Sequence, residues 1–172
     1  RFARYMRNMS DKTQFIVITH RRGTMEEADV LYGVQTLRGL ENFPISCFKL
    51  SDYPLFINGL AMTKLAAAEA NHSLGLLTDV QYEAIAQACK EILDGQYHDQ
   101  FPVDLIQGGA GTTTNMNANE VIANRALQIM GYAPGEYQYC SPNDHVNCSQ
   151  STNDAYPTAI HVGLYATHLK FM

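Results

Sequence analysis

Hydrophobic and polar positions change their period several times along the chain, and each change marks an element. Phe2, Tyr5, Met6 and Met9 share one face of a short helix with arginines opposite, and Ser10-Asp11-Lys12 breaks it. Gln14 through Thr19 then forms a near-continuous β-prone run. A run without alternation predicts a strand covered on both faces, as in parallel α/β sheets. It ends at His20-Arg21-Arg22-Gly23, and Thr24-Met25-Glu26-Glu27 starts a helical turn with Thr24 as its cap. This is a β-turn-α unit, and Val30 to Val34 reads as a further short strand.

Downstream the pattern turns helical. Phe56, Leu60, Lys64, Ala67 and Ala68 lie in an Ala-rich segment from Pro54 to Leu77 that Gly75 punctuates. Thr78-Asp79 caps a helix through Tyr82, Ile85, Ala86, Cys89, Ile92 and Leu93, which stops at Gly95. After Phe101 to Ile106, a Gly-rich turn (Gly108-Gly109-Ala110-Gly111) and a Thr/Asn run feed a helix over Ala118 to Leu127. Asn143 to Asn153 reads as a polar loop before a last helix. Ile160, Leu164 and Phe171 still keep near-helical spacing where the sequence stops, so the chain reads as a piece of a longer one.

Charge adds a seam. Residues 1–22 carry Arg1, Arg4, Arg7, Lys12, Arg21 and Arg22 against Asp11 alone, a net of +5, whereas the remainder nets −10. Four cysteines (Cys47, Cys89, Cys140, Cys148) have no C-x-x-C spacing, and no apolar run approaches the ~20 residues of a membrane span. A zinc ribbon, a disulfide-stapled miniprotein and a membrane span are excluded. No export signal is recognisable, so a reducing cytoplasm is the expected location.

Two stretches carry candidate chemistry. In Gly108 to Asn117, three glycines let a ligand approach the backbone and hydroxyls follow at once; a helix start there offers unpaired N–H groups to a carboxylate or phosphate. The stretch lacks the Lys-Ser/Thr ending of a P-loop and the acidic residue of a dinucleotide site. Ser149-Gln150-Ser151-Thr152-Asn153-Asp154 gathers more donors before the last helix. Both stretches also fit plain capping clusters. Six histidines include no tight ligand pair, so no metal is expected, and the basic start has no aromatic platform for nucleic acid.

From Tyr32 onward the strings resemble the aspartate ammonia-lyases of the aspartase/fumarase superfamily. They are Tyr32-Gly33-Val34-Gln35-Thr36-Leu37-Arg38, Glu41-Asn42-Phe43-Pro44-Ile45, Asp94-Gly95 with His98-Asp99-Gln100-Phe101, and Gln107 through Arg125. Pro142-Asn143-Asp144-His145-Val146-Asn147 and Ser149 through Ala159 complete them. Gly109-Ala110-Gly111-Thr112-Thr113 and Asp144-His145 are similar to the aspartase rather than the fumarase pattern; a fumarase-type hydratase fragment is the alternative. Ser141 departs from the His that many relatives carry there, and with it goes the expectation of the secondary anion site that fumarases build on that His.

The resemblance implies elimination of ammonia from L-aspartate to give fumarate, with no cofactor. Thr112, Ser151 and Thr152 match residues that bind the β-carboxylate, and Asn153 one that contacts the amino group. The family's catalytic base, a Ser on a Gly-Ser-Ser-x-Met-Pro-x-Lys-x-Asn loop, has no counterpart in these 172 residues, so no catalytic residue is assigned. The implied architecture is mainly α: an N-terminal domain over 35–150, then, over 151–172, the start of a long helix of a homotetrameric bundle.

Residues 1–34 resemble something else, the C-terminal end of the ATPase head of bacterial SMC (structural maintenance of chromosomes) proteins. Arg1-Phe2-Ala3-Arg4-Tyr5, Thr13 through Arg21 and Gly23 through Val34 carry this likeness. His20 matches the switch histidine near the nucleotide γ-phosphate in such heads. The chain would then be a chimera joined between Asp29 and Thr36, with a non-catalytic SMC remnant as the alternative reading of the whole.

Overall fold

The computed structural model describes residues 30–106 and 109–172, and its regular structure is helical. Among the described residues the helices are α1 (Val34–Asn42), α2 (Pro54–Ser73), α3 (Asp79–Leu93), α4 (Thr112–Ile129) and α5 (Thr152–Phe171). The β-turn-α unit and His20 lie outside the described residues.

Local chemistry sets the helix ends. Pro54 opens α2 at a position where a missing N–H costs nothing, and Gly75 turns the chain beyond its end at φ 73°. Thr78 and Gln81 form a reciprocal capping box at the start of α3. Helix α4 occupies the middle of the fold: Ala118, Val121, Ile122, Ala123, Ala126 and Leu127 are buried against Ile85, Cys89 and Ile92 of α3 and Ile57 and Leu60 of α2. Helix α5 lies along α2 at backbone distance. A Cβ on Gly59 would collide with the Ala159 carbonyl oxygen, and one on Gly163 would stand 3.0 Å from that of Leu55.

Three expectations are corrected. Val30 to Val34 is not a strand. Its backbone is paired with side chains instead: Leu31 N–H donates to Gln100 Oε1 (2.8 Å), and Leu31 O accepts from Asn124 Nδ2 (2.6 Å). With its polar groups satisfied in this way the segment needs no β partner. Val34 already begins α1, a helix the pattern did not announce. Secondly, α4 starts at Thr112 rather than Ala118, because Asn115, Asn117 and Asn119 turn inward and find partners there; Asn117 Nδ2 donates to Gln100 O at 3.0 Å. Thirdly, the polar stretch 143–153 is not a plain loop. It holds a π-helical turn, Pro142–Val146, capped by Ser141 Oγ, and the first residues of α5.

Helix α1 is fastened by one carboxylate. Buried Glu120 of α4 accepts from Gly33 N (2.9 Å), Gln35 N (2.9 Å), Thr36 N (3.0 Å) and Thr36 Oγ1 (2.7 Å), which pairs three backbone donors of the α1 start. Glu120→Ala leaves the buried donors of Gly33 and Thr36 unpaired, so a loss of roughly 3 kcal/mol is expected in urea unfolding. Glu120→Gln, which keeps one acceptor oxygen, is expected to lose less; equal stability of wild type and Glu120→Ala would refute the cap.

Candidate functional site

The two donor-rich stretches meet at the starts of α4 and α5. Gly111 caps α4 in the left-handed region (φ 79°), where a Cβ would run into the Tyr156 ring, so only glycine lets the α4 start press against α5. One turn into α4, Asn115 Nδ2 donates to Thr152 Oγ1 at 3.2 Å. Ser151 caps α5: its Oγ accepts from Asn153 N at 3.1 Å, and its carbonyl accepts from Asp154 N and Ala155 N. A shallow cleft beside it is lined by Thr63, Ser149, Gln150, Ser151, Asp154 and Thr158.

Each residue singled out in the sequence has a definite place. Thr112 is the exposed first residue of α4, and Thr152 is the half-buried first residue of α5. Ser151 and Asn153 flank Thr152 and are exposed. Thr152 is therefore joined to α4 directly, and Thr112 sits one turn ahead of the residue that joins them. Among the described residues no cluster of His, Cys, Asp and Glu could hold a metal ion. His161 and His168 are exposed on α5.

Beneath these donors lies a polar network that pattern reading missed. Lys64 of α2 has no exposed surface, and its Nζ donates to Asn147 Oδ1 and Gln150 Oε1, each at 2.9 Å. Asn147 Oδ1 also accepts from Asn115 Nδ2 (3.1 Å) and Asn119 Nδ2 (3.2 Å). Asn71 of α2 donates to Cys148 O at 2.8 Å. Burial pushes the Lys64 ammonium down to about 7, an effect that the nearby Cys89 thiol offsets only in part. One signal was available: Lys64 falls four residues after Leu60 and four before Ala68, on the apolar stripe of α2. Such a lysine is buried and must have partners.

The arrangement offers hydroxyls, helix-start N–H groups and a cation one layer below, which together suit an anion. A family profile described as lyase matches residues 23–171. The chain belongs to the lyase family. Among curated members, an aspartate ammonia-lyase of Helicobacter pylori is 60% identical over 144 residues, covering 83% of this lyase and 31% of the relative. A solved fumarate lyase:delta crystallin of Brucella melitensis superposes with a TM-score of 0.80 at 49% identity, covering 90% of this chain and 32% of the other. A class II fumarase of Schistosoma mansoni gives 0.72 at 39% identity, with 79% and 28% covered. The lyase chain thus spans about a third of the length of the relatives it matches, and its mainly helical fold is that of the aspartase and fumarase lyases.

The depressed Lys64 has a consequence for stability. An unfolded lysine titrates near 10.5 and the buried one near 7, so between these values the unfolded chain binds more protons and stability rises with pH. The stability of wild type minus that of Lys64→Met is expected to grow from about pH 7 upward, by at most about 1.4 kcal/mol per pH unit. Urea unfolding of both proteins across neutral pH checks this; a flat difference would mean that Lys64 titrates in its ordinary range.

Proposed function

We propose that this chain is the N-terminal part of an aspartate ammonia-lyase and supplies the half of the active site that receives the substrate β-carboxylate. The observation that supports this best is the joining of the two helix starts through Asn115 and Thr152. Elimination begins with removal of a proton from Cβ of L-aspartate, which puts a second negative charge on the β-carboxylate. Donors already aimed at that group lower the barrier, because they bind the dianionic transition state more strongly than the substrate. Ammonia then leaves and fumarate remains.

In this reading Thr112, Ser151 and Thr152 donate to the β-carboxylate and Asn153 contacts the amino group. Ser151 Oγ accepts from Asn153 N, which leaves its own proton to donate outward, and the α5 start adds the positive end of a helix dipole. The base comes from the Ser loop that these 172 residues do not contain, and other subunits of a homotetramer complete the pocket. Residues 35–150 form the N-terminal domain and 151–172 open the bundle helix. The enzyme is cytoplasmic, with neither membrane nor nucleic acid as partner.

For residues 1–34 we propose the SMC-like join on the strings alone. The lyase match already begins at Gly23, ahead of the seam, and Leu31 and Gly33 are bonded to the lyase helices. A sequencing read across codons 25–40 decides it: a read that separates the two parts removes the chimera.

The isolated chain is expected to release no fumarate from L-aspartate above a no-protein blank, followed by ultraviolet absorbance. Grafted in place of the matching third of the Helicobacter pylori relative, residues 35–172 are expected to support turnover, and Thr152→Val in that graft should cut kcat/KM by about 10² or more. A graft indifferent to Thr152→Val would overturn the site.

A further inference from the structure

The network beneath the helix starts has a direction, set by an ammonium and by backbone carbonyls. An ammonium can only donate, so the atoms of Asn147 and Gln150 that face Lys64 Nζ at 2.9 Å must be their oxygens. The far ends agree. Asn147 Nδ2 meets Gln150 O (3.0 Å), and Gln150 Nε2 meets Val146 O (2.8 Å) and Cys148 O (3.2 Å), all of which can only accept. With Asn147 Oδ1 so fixed, Asn115 must turn its NH2 toward it, and the same NH2 then faces Thr152 Oγ1. A flipped Asn115 would set two oxygens against each other.

The cost of this choice is visible. Asn115 Oδ1 and Asn119 Oδ1 are both buried without a hydrogen-bond partner. Left to themselves, buried amides settle where both ends are paired. Asn117 Oδ1 on the same helix is likewise unpaired, and at Asn115 and Asn119 the unpaired oxygen goes with an NH2 turned toward Asn147 Oδ1.

We propose that Lys64 is a positioning residue that, together with the backbone carbonyls of the turn at 146–150, sets the hydrogen-bond polarity of the site: acting through Asn147 and Asn115, it holds Thr152 Oγ1 as an acceptor toward the protein and so commits the Thr152 proton to an anionic ligand of the dicarboxylate class. The ligand half of this statement rests on the site reading given under Proposed function; the polarity half does not. The ammonium and the backbone carbonyls impose the same direction; a neutral amine has a lone pair and could accept, so loss of the proton would leave the amides held by the carbonyls alone. Burial brings the loss of that proton to about 7, within reach of ordinary buffers. No other group in the network titrates there. The Cys89 thiol of α3 is held near 12 by burial, and the partners from α4, α5 and the 147–150 turn are amides and a hydroxyl. Asp154 lines the cleft beside Gln150, and His145 bonds to Ser141 N and Gln81 instead of to this network.

The test uses the full 172-residue chain and two readouts. In NMR, the side-chain NH2 signals of Asn115, Asn119 and Asn147 are expected to move together with pH through one midpoint near neutrality, and that midpoint should vanish in Lys64→Met. Signals that ignore pH, or a midpoint that persists in Lys64→Met, would overturn the proposal. Should Lys64→Met not fold, the wild-type series decides the same question when the Lys64 Nζ signal is followed directly: a shared midpoint supports the proposal, and separate midpoints refute it. In calorimetry with succinate as probe, Lys64→Met is expected to weaken binding at least about tenfold, and wild-type affinity should fall as pH passes the same midpoint. Unchanged succinate affinity in a folded Lys64→Met refutes the commitment of the Thr152 proton. Succinate that does not bind wild type overturns the ligand half of the proposal, the site reading itself being tested by the graft, while the amide signals still decide the polarity.

Discussion

A cation taken out of water must be surrounded by oxygens or give up its proton, and Lys64 is buried where α2, α4 and the chain ahead of α5 come together. The oxygens that answer this demand are amides on the 147–150 turn, far from Lys64 in sequence. Meeting it pins the turn to α2, and the turn in turn presents Asn147 to Asn115 and Asn119 on α4. The donor surface above is therefore built on a polar layer and not on the apolar core. This makes it directional, since apolar packing tolerates small rotations that a hydrogen bond to an ammonium does not.

Two further constraints hold that layer in place. Gly59 and Gly163 remove the side chains that would separate α2 from α5, so the axis of α5 is set by backbone contact over its first turns. Gly111 does the same for the α4 start against Tyr156. On the opposite side, Arg125 of α4 donates to both oxygens of Glu91 on α3, and Glu120 gathers the start of α1. The guanidinium beside Glu91 holds that carboxyl below its usual range; both groups are partly exposed, so solvent screening makes the pair modest in energy. Helix α4 is thus tied to its neighbours by polar groups as well as by its buried aliphatic face.

Much of this was legible from local pattern. Pro54, the Thr78–Gln81 box, Gly75 and Gly95 mark helix ends by backbone chemistry that neighbours within a few residues decide, and those ends fall where the sequence puts them. The two donor clusters were legible as well, from their hydroxyl and amide composition. The failures share one cause. Val30 to Val34 looks like a strand because apolar β-branched residues often pair, but Gln100, Glu120 and Asn124, distant in sequence, take its backbone groups. The Thr/Asn run ahead of Ala118 looks like a loop because such residues favour turns, yet inside α4 their amides have buried partners.

By itself the sequence determined the helical class, most helix boundaries, the family strings and the two groups of candidate ligands, since each depends on neighbours along the chain. Only the tertiary structure decided that Asn115 reaches Thr152, that Lys64 is enclosed, and which way every amide in the layer points. Those are properties of a closed set of hydrogen bonds drawn from α2, α4, α5 and the turn before it. The direction of any one bond in such a set is dictated by the others, so it exists only once all the members have been brought together.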